Sequence, residues 1–150
     1  MIYAITGAGP RTGTSWTMGK IKEAGLPIYW SKFIKIPGAK YDTYPTDLQG
    51  LGNVVVKVWP KHLSLVNISK MVVLRRNYTD QVGSIYKQAK RESKAGFTVD
   101  YTPDGLIQEC NMILSKVNIP YREYRTEDLD DSIDEIIEWF SEPFELARTG

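Results

Sequence analysis

Ile2 to Thr6 is a short apolar, β-branched run that stops at once in Gly7-Ala8-Gly9-Pro10-Arg11-Thr12-Gly13-Thr14-Ser15-Trp16. A buried strand that empties into glycines and then into a helix start leaves few folds open. It is the strand–loop–helix unit of open α/β sheets, where backbone N–H groups and the helix dipole converge on an anion. Glycine permits the close approach and the left-handed backbone angles such a loop needs. Thr12, Thr14 and Ser15 add hydroxyl donors, and Arg11 adds a planar cationic fork.

The rest of the chain repeats the alternation. Thr14 to Ala24 reads as a helix closed by Gly25. Leu26 to Trp30 reads as a second strand, and residues 31–52, rich in Pro, Gly and Tyr, as an irregular connection. Asn53 to Val58 is a strand, Lys61 to Asn67 a short helix after Pro60, and Lys70 to Leu74 a strand. Tyr78 to Lys94 is a helix with Val82, Ile85, Tyr86 and Ala89 along one stripe. After a loop over 96–102, Pro103 to Val117 is a helix with proline in its first turn. Pro120 to Tyr124 is a last strand, and Asp131 to Phe140 an amphipathic helix carrying Ile133, Ile136, Ile137 and Phe140. Strands separated by helices imply a parallel sheet with right-handed crossovers. The expectation is a three-layer α/β fold with about four or five parallel strands flanked by helices, one domain over residues 1–150.

Composition narrows the chemistry. One cysteine, Cys110, and one histidine, His62, exclude an internal disulfide framework and zinc or His-rich metal sites. Cys110, beside Met112, Ile113 and Leu114, reads as a buried structural thiol. No apolar run approaches the ~18 residues of a membrane span, and Met1 to Ile5 lacks the basic flank of a signal peptide, so a cytoplasmic protein with no membrane partner is expected. The formal net charge of +1 gives no sign of a nucleic-acid partner, but it hides a division. Residues 1–125 hold 18 Lys/Arg against 9 Asp/Glu, and residues 126–150 hold one Arg against 9 acids. A basic body for an anionic ligand, with a solvated acidic helix elsewhere, fits that split.

The ATP-binding loop reads G-x-x-x-x-G-K-[ST], with the lysine reaching the β/γ-phosphates. Here the corresponding run is Ala8 to Ser15, with Thr14 in the lysine position. The strands over 53–58 and 70–74 run into Trp59-Pro60 and Arg75-Arg76-Asn77, so neither ends in a metal-holding Asp. Extra arginine without a metal carboxylate suits an anion bound without magnesium.

Pro10 to Trp16 (P-R-T-G-T-S-W) resembles the 5′-phosphosulfate loop of sulfotransferases that use 3′-phosphoadenosine 5′-phosphosulfate (PAPS). Val72 to Tyr86 (V-V-L-R-R-N-Y-T-D-Q-V-G-S-I-Y) is similar to their 3′-phosphate motif, with Arg76 and Ser84 at its eight-residue spacing. Val55 to Pro60 (V-V-K-V-W-P) and the ending from Tyr124 to Phe140 are similar to segments of bacterial and phage-type members. The resemblance implies a P-loop fold and a small PAPS-dependent enzyme. It would move a sulfuryl group to a hydroxyl or amine of a small-molecule, sugar or peptide acceptor, release adenosine 3′,5′-bisphosphate (PAP), and need no metal. It implies that the amides of Thr12, Gly13, Thr14 and Ser15 bind the 5′-phosphosulfate and that Trp16 stacks on adenine. Arg76 and Ser84 would select the 3′-phosphate, and Arg11 would stand at the bridging oxygen where charge builds. Lys57, at a strand end where open α/β sheets place ligands, matches a lysine that assists transfer.

The chain departs from the family where the general base belongs. Trp59 occupies the usual histidine position and His62 follows three residues later, with Asp42 and Asp47 as carboxylate candidates. The acceptor is expected to approach over residues 31–52 and 96–102, where tyrosines and Phe97, with Trp59, offer stacking surfaces. Two other readings stand beside this one: a P-loop nucleotide or small-molecule kinase, and a PAPS- or PAP-binding module without activity.

Overall fold

The computed structural model describes residues 1–29 and 54–149. Its elements are β1 (Ile2–Gly7), α1 (Thr14–Glu23), β2 (Ile28–Tyr29), β3 (Val54–Lys57), a 3-10 turn (Pro60–Leu65), β4 (Ile68–Arg75), α2 (Tyr78–Lys94), α3 (Pro103–Lys116), β5 (Tyr121–Arg125), a second 3-10 turn (Thr126–Asp128) and α4 (Leu129–Thr149). All strand pairings are parallel, in the order β2-β3-β1-β4-β5. β1 is central and every residue in it is buried, which is why it carries no polar alternation.

Each sheet face meets its own helical layer. Ile2, Ala4, Val56, Met71 and Val73 face Leu63 of the first 3-10 turn and Leu114 of α3. Tyr3, Ile5, Val55, Val72 and Leu74 face Met18 and Ile21 of α1 and Leu129, Ile136, Trp139 and Phe140 of α4. The Phe140 ring stacks on Tyr3 with centroids 5.7 Å apart. The chain therefore has the expected three-layer α/β fold, with a parallel sheet of five strands among the described residues.

Most element bounds match the sequence reading, and the differences have local causes. α1 closes as expected: Gly25 takes φ 87, its N–H donates to the Lys22 carbonyl, and Leu26 N donates to Ile21 O, a Schellman closure. Of the strand expected over Leu26 to Trp30, Ile28–Tyr29 forms, while Pro27 contributes its carbonyl to Val55 N at 2.9 Å. Trp30, the 31–52 connection with Asp42 and Asp47, and Asn53 lie outside the described residues. The helix expected over Lys61 to Asn67 is a 3-10 turn starting at Pro60. β4 begins at Ile68, two residues early, and α4 runs well beyond the expected Asp131 to Phe140. On α2, Gln81 and Ile85 are buried and Tyr86 is exposed, so the buried stripe lies one residue away from the one the apolar residues suggest.

Candidate functional site

The site lies at the C-terminal ends of β1, β3 and β4, where a parallel sheet delivers its loops. Between β1 and α1 the backbone takes positive φ at every second residue: Gly9 at 111, Arg11 at 65 and Gly13 at 90. Such alternation gathers successive N–H groups into a concave nest for an anion. Gly13 is the N-cap of α1, no side chain caps that helix and no acid sits in its first turn. Its opening N–H groups therefore have no intrahelical partner and carry the positive end of the helix dipole. At Gly7 a side chain is excluded, because an added Cβ would lie 2.0 Å from Thr12 Oγ1.

The structure draws five of the expected residues together. Arg11 Nε donates to Ser84 Oγ at 3.0 Å, and Arg76 Nη1 donates to the Arg11 carbonyl at 3.1 Å. Lys57 Nζ donates to Ser15 Oγ at 3.0 Å. Arg76 and Ser84 thus both meet Arg11, Arg76 at its carbonyl and Ser84 at its side chain. Asn77 makes the turn from β4 into α2, its Oδ1 accepting from Asp80 N at 3.2 Å to cap α2.

Other expected residues sit differently. Thr12 is buried and its hydroxyl donates to the Gly9 carbonyl at 3.5 Å. Arg75 does not join the cationic group. It is engaged by Glu123 at 3.1 Å and by Asn111, over a cavity of about 230 Å³ between α3, β4 and β5. Trp16 faces a groove of about 410 Å³ between α1 and α4, with Lys20 Nζ 5.5 Å from its ring and Asp130, Asp134, Ile133 and Ile137 opposite. His62 is half-buried in the 3-10 turn five residues past Lys57, the turn that packs on α3. Phe97 is exposed after α2, and the Tyr101 hydroxyl donates to Glu92 Oε2 at 2.7 Å. Burial and that carboxylate push the Tyr101 phenol up to about 12.

Three residues at the site were not anticipated. Gln81 of α2 is buried, and its Nε2 donates to the carbonyls of Ala8 at 3.1 Å and Pro10 at 2.9 Å. Thr126 Oγ1, past the end of β5, donates to Thr12 O at 2.6 Å and lies 3.3 Å from Arg75 O. Glu127 Oε1 accepts from Asn77 N at 2.6 Å, and that backbone bond is the main reason its carboxyl lies below the usual range. The one signal in the sequence was Gln81 itself, a polar residue one helical turn before Ile85 on the inward stripe.

β3 ends at Lys57 and β4 at Arg75, so neither of these strands ends in a carboxylate of its own. Among the described residues, no group of three or more His, Cys, Asp or Glu side chains is placed to hold a metal ion. Nor is any helix of the described residues long and apolar enough to cross a membrane.

No family model and no curated protein matches the chain. Among solved structures it is similar to the YorR protein of Bacillus subtilis, determined in complex with phosphorylated GDP, with a TM-score of 0.53 and 16% identity, covering 100% of this chain and 99% of that one. It is also similar to an unliganded sugar kinase from Janibacter sp. HTCC2649, with a TM-score of 0.51 and 11% identity, covering 93% and 94% of the two chains. A shikimate kinase from Bacteroides thetaiotaomicron follows at 0.44 and 14%, covering 97% and 98%. None of the three is described as a sulfotransferase. At these identities the likeness is one of fold: the YorR and sugar kinase structures share the α/β architecture of a parallel sheet between helical layers.

Proposed function

We propose that the chain is a nucleotide-binding transferase that moves a sulfuryl group from PAPS to a hydroxyl or amine of a small-molecule, sugar or peptide acceptor. The observation that carries this reading is the meeting of Arg11, Arg76 and Ser84 beside the loop, with Lys57 bonded to Ser15. A nest for one anion next to an Arg–Ser pair for a second suits a nucleotide with both a 5′ and a 3′ anionic group. Thr14 stands where an ATP-binding loop would have its lysine, and Lys57 and Arg75 stand at the strand ends where a metal carboxylate would be. In the transfer, the acceptor oxygen or nitrogen bonds to sulfur and the bond from sulfur to the bridging oxygen breaks. The electron pair leaves with the 5′-phosphate of PAP. The acceptor proton passes to a base, for which His62 is the candidate among the described residues. Arg11 and Lys57 supply positive charge where the leaving oxygen becomes negative.

Phosphoryl transfer is the second reading, and the fold favours it. Two of the similar structures are a sugar kinase and a protein bound to phosphorylated GDP. Against it stand Thr14 in the lysine position and Lys57 and Arg75 at the strand ends. Calorimetry with PAP in the absence of magnesium, and with Mg-ATP, separates the two. Tight PAP binding is the expected result. Preference for Mg-ATP would replace the first reading with the second. PAP binding without turnover against an acceptor panel would leave a binding module.

A further inference from the structure

The carbonyls of the loop are held from outside it. Gln81 takes Ala8 O and Pro10 O, Arg76 takes Arg11 O, and Thr126 takes Thr12 O. Of the loop residues with positive φ, Gly9 and Arg11 fall between the carbonyls that Gln81 and Thr126 hold, and Gly13 follows directly after Thr12. In a chain that alternates this way, a carbonyl turned outward leaves the N–H groups turned inward. A free loop of this composition has no reason to hold that alternation, since Arg11 pays a steric cost in the left-handed region.

We propose that Gln81 and Thr126 are positioning residues for anion binding: they draw the alternate carbonyls of Ala8, Pro10 and Thr12 out of the cradle, so that it is formed before the ligand arrives. Both come from elements outside the β1–α1 unit. Gln81 lies on α2 between Arg76 and Ser84, so it also fixes the distance between the loop and the Arg–Ser pair. Thr126 reaches Thr12 O and the vicinity of Arg75 O together, tying the loop to the end of β4. The close approach of Gln81 explains Gly9, where an added Cβ would lie 2.6 Å from Gln81 Nε2. The inference concerns the anion cradle that the proposed function uses, but it does not depend on which nucleotide occupies it.

Three variants test it, at a temperature where each is shown to be folded: Gln81→Met and Thr126→Val, which keep volume and remove the donor, and Thr126→Ser, which keeps the hydroxyl. Inorganic pyrophosphate and PAP are the probes, by calorimetry without magnesium. Gln81→Met and Thr126→Val are each expected to weaken pyrophosphate by about tenfold, the scale of one hydrogen bond. Thr126→Ser is expected to stay close to the parent. In the ligand-free protein, amide hydrogen exchange over residues 8–15 should quicken in the first two variants and not in the third. Unchanged pyrophosphate affinity in Gln81→Met and Thr126→Val overturns the proposal, as does a Thr126→Ser protein as impaired as Thr126→Val. A parent protein that binds pyrophosphate but not PAP leaves these outcomes readable and counts against the PAPS reading alone. A parent that binds neither overturns both.

Discussion

Single residues at this site are constrained by backbone more than by charge. Gly9 sits at φ 111 and an added Cβ would lie 2.6 Å from Gln81 Nε2, so Gly9→Ala meets both a strained angle and a collision. It should lower unfolding free energy by about 1–3 kcal/mol, the range for a strained backbone position, read from urea melts. Arg76 is constrained in another way, since it is half-exposed and bonded to the Arg11 carbonyl. Arg76→Ala should leave stability nearly unchanged and weaken PAP by about 1–3 kcal/mol, the cost of a charged hydrogen bond. Equal PAP affinity in parent and variant would remove the Arg–Ser pair from the proposed site. The residue types on the loop were legible because glycine, hydroxyl and arginine have few other reasons to follow a buried strand. Thr126 was not, and Gln81 showed only as a polar residue one turn before Ile85, because a neutral side chain acting through backbone carbonyls leaves no motif in a single sequence. The bonds of Thr12, its hydroxyl to Gly9 O and its carbonyl from Thr126 Oγ1, were not legible for the same reason.

Elements were legible where one physical cause dominated. β1, β3 and β4 are inner strands with continuous apolar runs, and α3 announces itself by Pro103 and the Thr102 cap, whose hydroxyl accepts from Gly105 N at 3.1 Å. The turn after Pro60 resisted reading because six residues satisfy a 3-10 pattern as readily as a helical one. α2 depends on a contact from another element. Asn77 caps its start, and Glu127, beyond β5, accepts the Asn77 N–H at 2.6 Å. Because the Glu127 carboxyl is held below its ordinary value, its contribution is present above that value and is lost as pH falls through the lowered one. Parent stability should therefore fall between neutral and strongly acidic pH by more than that of Glu127→Gln, with the difference between their urea midpoints shrinking as pH falls. Midpoints that stay a constant distance apart would show that this carboxylate does not tie α2 to the β5–α4 junction.

At the scale of the molecule, the charge division acquires a location. The exposed acids Asp130, Asp131, Asp134 and Glu138 lie on α4, whose apolar face covers Tyr3 and Ile5, whereas Arg11, Lys57 and Arg76 gather at the strand ends. Lys70 joins the two: buried in β4, it donates to the Trp139 carbonyl and sits 5.1 Å from the Tyr3 ring and 4.6 Å from that of Trp139. Burial lowers its pKa, so Lys70 by itself makes the fold gain stability as pH rises toward its ordinary value. Cys110 acts in the opposite sense. Burial on α3 pushes its thiol up to about 11 from 9.0, so above pH 9 the unfolded chain loses that proton while the folded one keeps it. Its contribution is full below pH 9 and falls away as pH rises toward 11, by on the order of 2 kcal/mol. The two effects overlap in pH, so the parent curve alone does not divide them. Cys110→Ala does: urea melts at pH 8, 9.5 and 10.5 should show the variant, less stable at pH 8 for its lost volume, closing on the parent as pH rises. A gap that stays constant with pH would place the thiol in a wetter setting than the α3 packing gives it. Rapid reaction of native Cys110 with a thiol reagent at pH 8 would point the same way, since a buried thiol with a raised pKa is slow to form thiolate.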